Sequence, residues 1–132
     1  MFPLKNAKNK LFSLIFILIL PLLILFQSSM AFAARPKLIL FCADWNARCR
    51  KAVPVCASVV ESYGNRVDYL SLNIDNNSDI ERSIQLGIPT PNVIPYIYIL
   101  GKSGNIKDSR KYNGESPQSL KKILDPIILP EL

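Results

Sequence analysis

From Leu38 to Ala43 the chain reads Leu-Ile-Leu-Phe-Cys-Ala, a short apolar run with no polar alternation. A strand with one solvated face alternates apolar and polar residues, so this run predicts a strand covered on both faces, central in a sheet with parallel neighbours. Helices must then lie above and below it, which makes the fold class α/β. The next segment supplies the first of them. Cys49, Ala52, Val53, Cys56, Val59, Val60 and Tyr63 fall at three-four spacing and draw one stripe along a helix. Asn46 suits its N-cap and Gly64 its stop. Pro54, inside it, removes one backbone hydrogen bond.

Further along, Val67 to Ile74 reads as a second strand and Ser78 to Leu86 as a short helix capped by Ser78 and ended by Gly87. Tyr96 to Leu100 is a third strand. Lys102-Ser103-Gly104-Asn105 is a turn, so a fourth strand from Ile106 to Tyr112 pairs antiparallel with the third as a hairpin. Ser116 caps a last helix, Pro117 fits its first position, and Leu120, Ile123 and Leu124 give its core face. The predicted order is βαβαββα around a mixed sheet of about four strands. The proline-rich stretch from Ile88 to Pro95 is a loop within this domain.

Ahead of the domain, Lys5, Lys8 and Lys10 precede an uncharged run from Leu11 to Phe26, which gives way to small and polar residues ending Ala31-Phe32-Ala33-Ala34. That layout is a secretory signal over residues 1–33, with the cut expected between Ala33 and Ala34. The alternative is an uncleaved membrane tether through residues 11–26. That run is interrupted by Pro21 and falls short of the ~20 residues that span a bilayer. Cleavage leaves roughly 99 residues, 34–132, enough for one hydrophobic core. The expected location is outside the cytoplasm, in a periplasm or a thylakoid lumen.

Charge and composition remove several functions. The chain carries +6, and the three signal lysines account for half of it; thirteen basic against ten acidic residues leave +3 on residues 34–132. That is too mild for a nucleic-acid partner. There is no histidine, so serine–histidine and cysteine–histidine catalysis and histidine metal sites are excluded. Cys42, Cys49 and Cys56 have no Cys-x-x-Cys pair among them, and no metal or cofactor is expected. Cys56 lies about 10.5 Å along the helix from Cys49 at 1.5 Å per residue, beyond disulfide reach, and is expected in the core. Whether Cys42 approaches Cys49 is left open by the sequence.

The segment Phe41-Cys42-Ala43-Asp44-Trp45-Asn46-Ala47-Arg48-Cys49, with Pro54 five residues on, resembles the active-site segment of thioredoxins. There a strand, a Trp and Cys-x-x-Cys open a helix containing a proline. Leu72-Asn73-Ile74-Asp75, Ile94-Pro95, Gly101 to Gly104 and Asn113-Gly114 are similar, in order, to the family's second-strand ending, its cis-proline, its hairpin turn and the glycine before its last helix. The resemblance implies a thioredoxin-like fold and a protein or peptide client, cysteine-containing or not, that docks on Trp45, Ile94 and Pro95 by strand addition.

The chain departs from that pattern where the chemistry is done. Asn46 stands at the position of the attacking cysteine, and a carboxamide cannot attack a disulfide. Leu40 stands at the position implied for a buried aspartate, and Ser71 at that of its partner lysine. Ordinary dithiol-disulfide exchange is therefore not expected. Two readings remain: a non-catalytic client-binding or assembly module, and a single-cysteine thiol-disulfide oxidoreductase using Cys49. Cys49 is predicted in the first turn of its helix, where free amides and the helix dipole favour a thiolate, and Arg48, Arg50 and Lys51 are close in sequence. Burial of Cys49 on the apolar stripe opposes that second reading.

Overall fold

The computed structural model describes residues 9–19, 21 and 34–132 of the chain. Two units result, residues 1–33 and residues 34–132. In the first, residues 9–19 are helical. Lys5, Lys8 and the stretch from Gln27 to the expected cut after Ala33 lie outside the described residues. No described helix is long and apolar enough to cross a membrane.

The second unit contains β1 (Lys37–Cys42), α1 (Ala47–Ser62), β2 (Asp68–Asn73), α2 (Asn77–Gln85), β3 (Tyr96–Leu100), β4 (Ile106–Lys111) and α3 (Pro117–Ile128). This is the predicted order, with boundaries shifted by a residue or so. The sheet order is β2-β1-β3-β4. β1 runs parallel to β2, as a helical crossover requires, but antiparallel to β3. A continuous apolar run reports cover on both faces and not strand direction, so the expectation of parallel neighbours holds on one side only.

Alternation along β1 separates two cores. Leu38, Leu40 and Cys42 face α1 and α3, packing with Ala52, Val59, Leu120, Leu124 and Ile128. Ile39 and Phe41 point the other way, into a cluster with Leu72, Ile88, Tyr98 and Leu100, against which Leu86 at the end of α2 packs. Phe41 meets the Tyr98 ring edge-on, with centroids 5.7 Å apart. The predicted stripe on α1 is corrected at one place. Val53 is exposed and Val55 is buried in its stead.

Ends of elements follow their capping chemistry. Ser116 caps α3 by accepting from the Ser119 amide, with Pro117 opening the helix. Ile123 is exposed, and Ile128 joins Leu120 and Leu124 in the core in its place. The cap of α2 is Asn76, which accepts from the Ser78 amide, so Ser78 is inside the helix and not at its cap. Gly64, at φ 68°, takes the left-handed turn that closes α1. β3 and β4 form the predicted hairpin, and β4 is one of the sheet's two outer strands, with Lys107 and Lys111 exposed.

Candidate functional site

The site is built where β1 ends and α1 begins. Cys42 is the last residue of β1, and the Asn46 amide donates to the Ala43 carbonyl at 3.1 Å, turning the chain sharply. Asn46 adopts extended backbone angles, φ −88° and ψ 118°, as an N-cap does. Its Oδ1 accepts from the Arg48 amide at 2.9 Å and the Cys49 amide at 3.2 Å. The carboxamide is thus occupied in closing the helix.

Cys49 follows in the first turn and is 2 % exposed; Cys42 is 6 % exposed. The two cysteines line one cavity, close enough for the Cys49 thiol to bear on that of Cys42. Burial first, and then the neighbouring Cys49 thiol, push the Cys42 thiol far above its ordinary range. Cys56, fully buried two turns further along α1, is pushed up to about 12 by burial. All three cysteines are free thiols. No disulfide joins Cys42 to Cys49, the pairing that the sequence left open. A cavity of about 210 Å³ adjoins the pair, with Asp44, Arg50, Ser71 and Asp79 among its lining residues.

Trp45 projects from the turn and is 67 % exposed. Its indole Nε1 donates to Asp75 Oδ2 at 2.9 Å, linking the turn to the loop after β2. That loop is held by side chains: the Asp75 amide donates to Asn73 Oδ1, and the Asn73 amide to Asp79 Oδ2, each at 2.9 Å. Asp75 and Asp79 were missed as site residues. The signal available was the density of Asn, Asp and Ser from Asn73 to Asp79, residues that fold a loop onto its own backbone.

The Ile94–Pro95 peptide bond is cis. Pro95 is buried, and its carbonyl accepts from the Tyr112 amide at 3.0 Å. In the β1–β3 register Phe41 pairs with Tyr96, so one step further sets Pro95 across from Cys42. Ile94 is half-buried and packs against both cores. Leu40 is fully buried among the α1 and α3 residues, so that position offers no carboxyl group, and Ser71 is exposed beside the cavity. Lys51 is directed elsewhere, donating to the Gly114 carbonyl at 3.1 Å. Among the described residues no group of three or more cysteine or carboxylate side chains is placed to hold a metal.

This arrangement of a mixed sheet, helices on both faces and a cis-proline beside the β1–α1 turn is the thioredoxin fold. Solved structures share it: a malarial protein at TM-score 0.55 and 17 % identity, covering 71 % of this chain and 98 % of that one. The malaria parasite's thioredoxin-2, described as a component of its protein secretion machinery, aligns at TM-score 0.55 and 18 % identity, covering 70 % and 82 %. The Thioredoxin family model matches residues 24–126, and the chain belongs to that family. Among curated relatives, the thioredoxin-like protein HCF164, chloroplastic, of Oryza sativa subsp. japonica is 32 % identical over 71 residues, which is 54 % of this chain and 26 % of that protein. The thiol:disulfide interchange protein TxlA homolog of Synechocystis is 31 % identical over 70 residues, 53 % of this chain and 37 % of that protein. The chain thus spans between a quarter and two-fifths of the length of these relatives.

Proposed function

We propose that this is an exported thioredoxin-like protein that binds a protein or peptide client without dithiol catalysis. One observation carries the reading: the group at the head of α1 is a carboxamide committed to two backbone amides, while Cys49 behind it is buried. Disulfide exchange begins with an accessible thiolate, and neither residue supplies one. The exposed Trp45 and the half-buried Ile94 before cis-Pro95 give the surface on which an extended client segment docks. Export to a periplasm or thylakoid lumen rests on the lysines, apolar run and alanine pair of residues 1–33. One relative is chloroplastic by name, which favours the lumenal choice.

The test compares insulin reduction and Cys49 alkylation in the native protein with those in Asn46→Cys. Slow alkylation, with reductase activity appearing only after the substitution, is the expected result. Fast alkylation of native Cys49 below pH 7, with turnover of the disulfide, overturns the reading in favour of a single-cysteine oxidoreductase.

A further inference from the structure

Two of the three buried thiols open onto one cavity, a relationship that client binding does not use. Cys42 and Cys49 come from different elements, yet the tight Ala43–Asn46 turn brings the end of β1 against the first turn of α1. Both line the 210 Å³ cavity, whose wall is apolar at Ala43, Val53 and Leu72 and carries polar groups at Asp44, Arg50, Ser71 and Asp79. Cys56 does not line that cavity.

We infer that Cys42 and Cys49 form a peroxide-sensitive redox couple, closed to protein disulfides by burial and open through the cavity to a small two-electron oxidant such as hydrogen peroxide. The size of the cavity sets this choice of oxidant. A peptide disulfide needs in-line approach of an extended chain to a sulfur, whereas hydrogen peroxide is little larger than water, whose share of liquid volume is about 30 Å³. Asp44, Arg50, Ser71 and Asp79 in the wall supply hydrogen-bonding groups for it.

The reaction balances with the peroxide as the only co-reactant. Cys49 sulfur attacks one peroxide oxygen, the O–O bond breaks, and the departing hydroxide takes up the thiol proton as water. Cys49 is now a sulfenic acid. The Cys42 sulfur then displaces the sulfenic hydroxyl, which leaves as a second water carrying the Cys42 proton, and the S–S bond forms. Both sulfurs are oxidised and the peroxide is reduced to two waters. A monothiol or dithiol reductant reverses the change by exchange. Closing the bridge requires the two sulfurs to meet in a bond of ~2.05 Å. Burial and the neighbouring Cys49 thiol push the Cys42 thiol upward, and Cys42 accordingly takes the resolving role.

The experiment uses the full chain, purified reduced, and treated with stoichiometric hydrogen peroxide before denaturation and thiol counting. The expected outcome is a fall from three free thiols to one, with an intact-mass loss of about 2 Da and a peptide map joining Cys42 to Cys49. Cys56→Ala retains the closure, while Cys42→Ala accumulates a sulfenic acid trappable by dimedone. The inference is overturned if three thiols survive, if the bridge includes Cys56, or if the only product is a dimer between chains. Mapping the native protein needs no variant to fold. Because client binding and thiol counting are read separately, failure of either leaves the other intact.

Discussion

The indole nitrogen of Trp45 lies 2.9 Å from a carboxylate oxygen of Asp75, thirty residues away, and joins the loop before α1 to the loop after β2. Since Trp45 is the sole tryptophan, its emission reports this bond directly. Asp75→Ala removes the acceptor, and the expected result is faster local motion of the ring, read as lower fluorescence anisotropy. The bond is exposed, so global stability should change by less than about 1 kcal/mol in urea unfolding.

Removing the helix cap should cost more. Asn46→Ala leaves the Arg48 and Cys49 amides without their acceptor, and chemical denaturation should show a loss of about 1 kcal/mol. Asn46→Asp restores the acceptor and adds a negative charge at the positive end of α1, so its stability should equal or exceed the native value. An unchanged midpoint in Asn46→Ala would mean the cap contributes nothing.

In the core, Leu124→Ala opens a void between α3 and α1, and the expected destabilisation is about 2–5 kcal/mol, measured by urea midpoint at constant slope. Tyr112→Phe is a finer probe. The Tyr112 hydroxyl donates to the Glu115 carbonyl at 2.7 Å, and its loss should cost about 1 kcal/mol.

Acid should weaken the packing of α3 on α1. Asp125 accepts from Lys121 and from the Tyr63 hydroxyl, and these two bonds, Lys121 first, hold its carboxyl below the usual carboxylate value. A depressed folded value means that the unfolded chain binds the proton more readily. The stabilisation is then present above the ordinary value near ~3.9 and fades as pH falls through the folded one. Thermal midpoints taken below pH ~4 should fall more steeply in the native protein than in Asp125→Asn.

At the alkaline end the sign reverses. Cys56 is raised to about 12 in the folded chain, so its contribution is complete below the unfolded thiol value near ~8.5 and is lost as pH climbs toward 12. Between those limits Cys56→Ala should show a shallower decline in midpoint than the native protein, whatever its absolute stability.

Most of the architecture could be read from period and punctuation. The β1 run, the α1 stripe with Pro54, the Gly64 stop and the Ser116-Pro117 helix start each carry a local signal, and each element formed within a residue or so of its expected place. The misses were ones of rotation and partnership. Val53 and Val55 are chemically identical, and only the angle at which α1 meets the sheet decides which is buried. The proximity of Cys42 to Cys49 depends on a turn held by the Asn46 amide, and the Trp45–Asp75 bond on a loop thirty residues distant. Side chains that meet across elements leave no spacing for a sequence to reveal.

The outer position of β4 has a consequence for life in a concentrated compartment. A second copy adding its own strand along Ile106–Lys111 would have to strip water from the exposed Lys107 and Lys111 and disturb the Lys107–Glu131 ion pair at 3.2 Å. Aggregation through that margin is thereby discouraged without any loss of packing inside, and replacing both lysines with threonine should increase edge-to-edge assembly, read by light scattering.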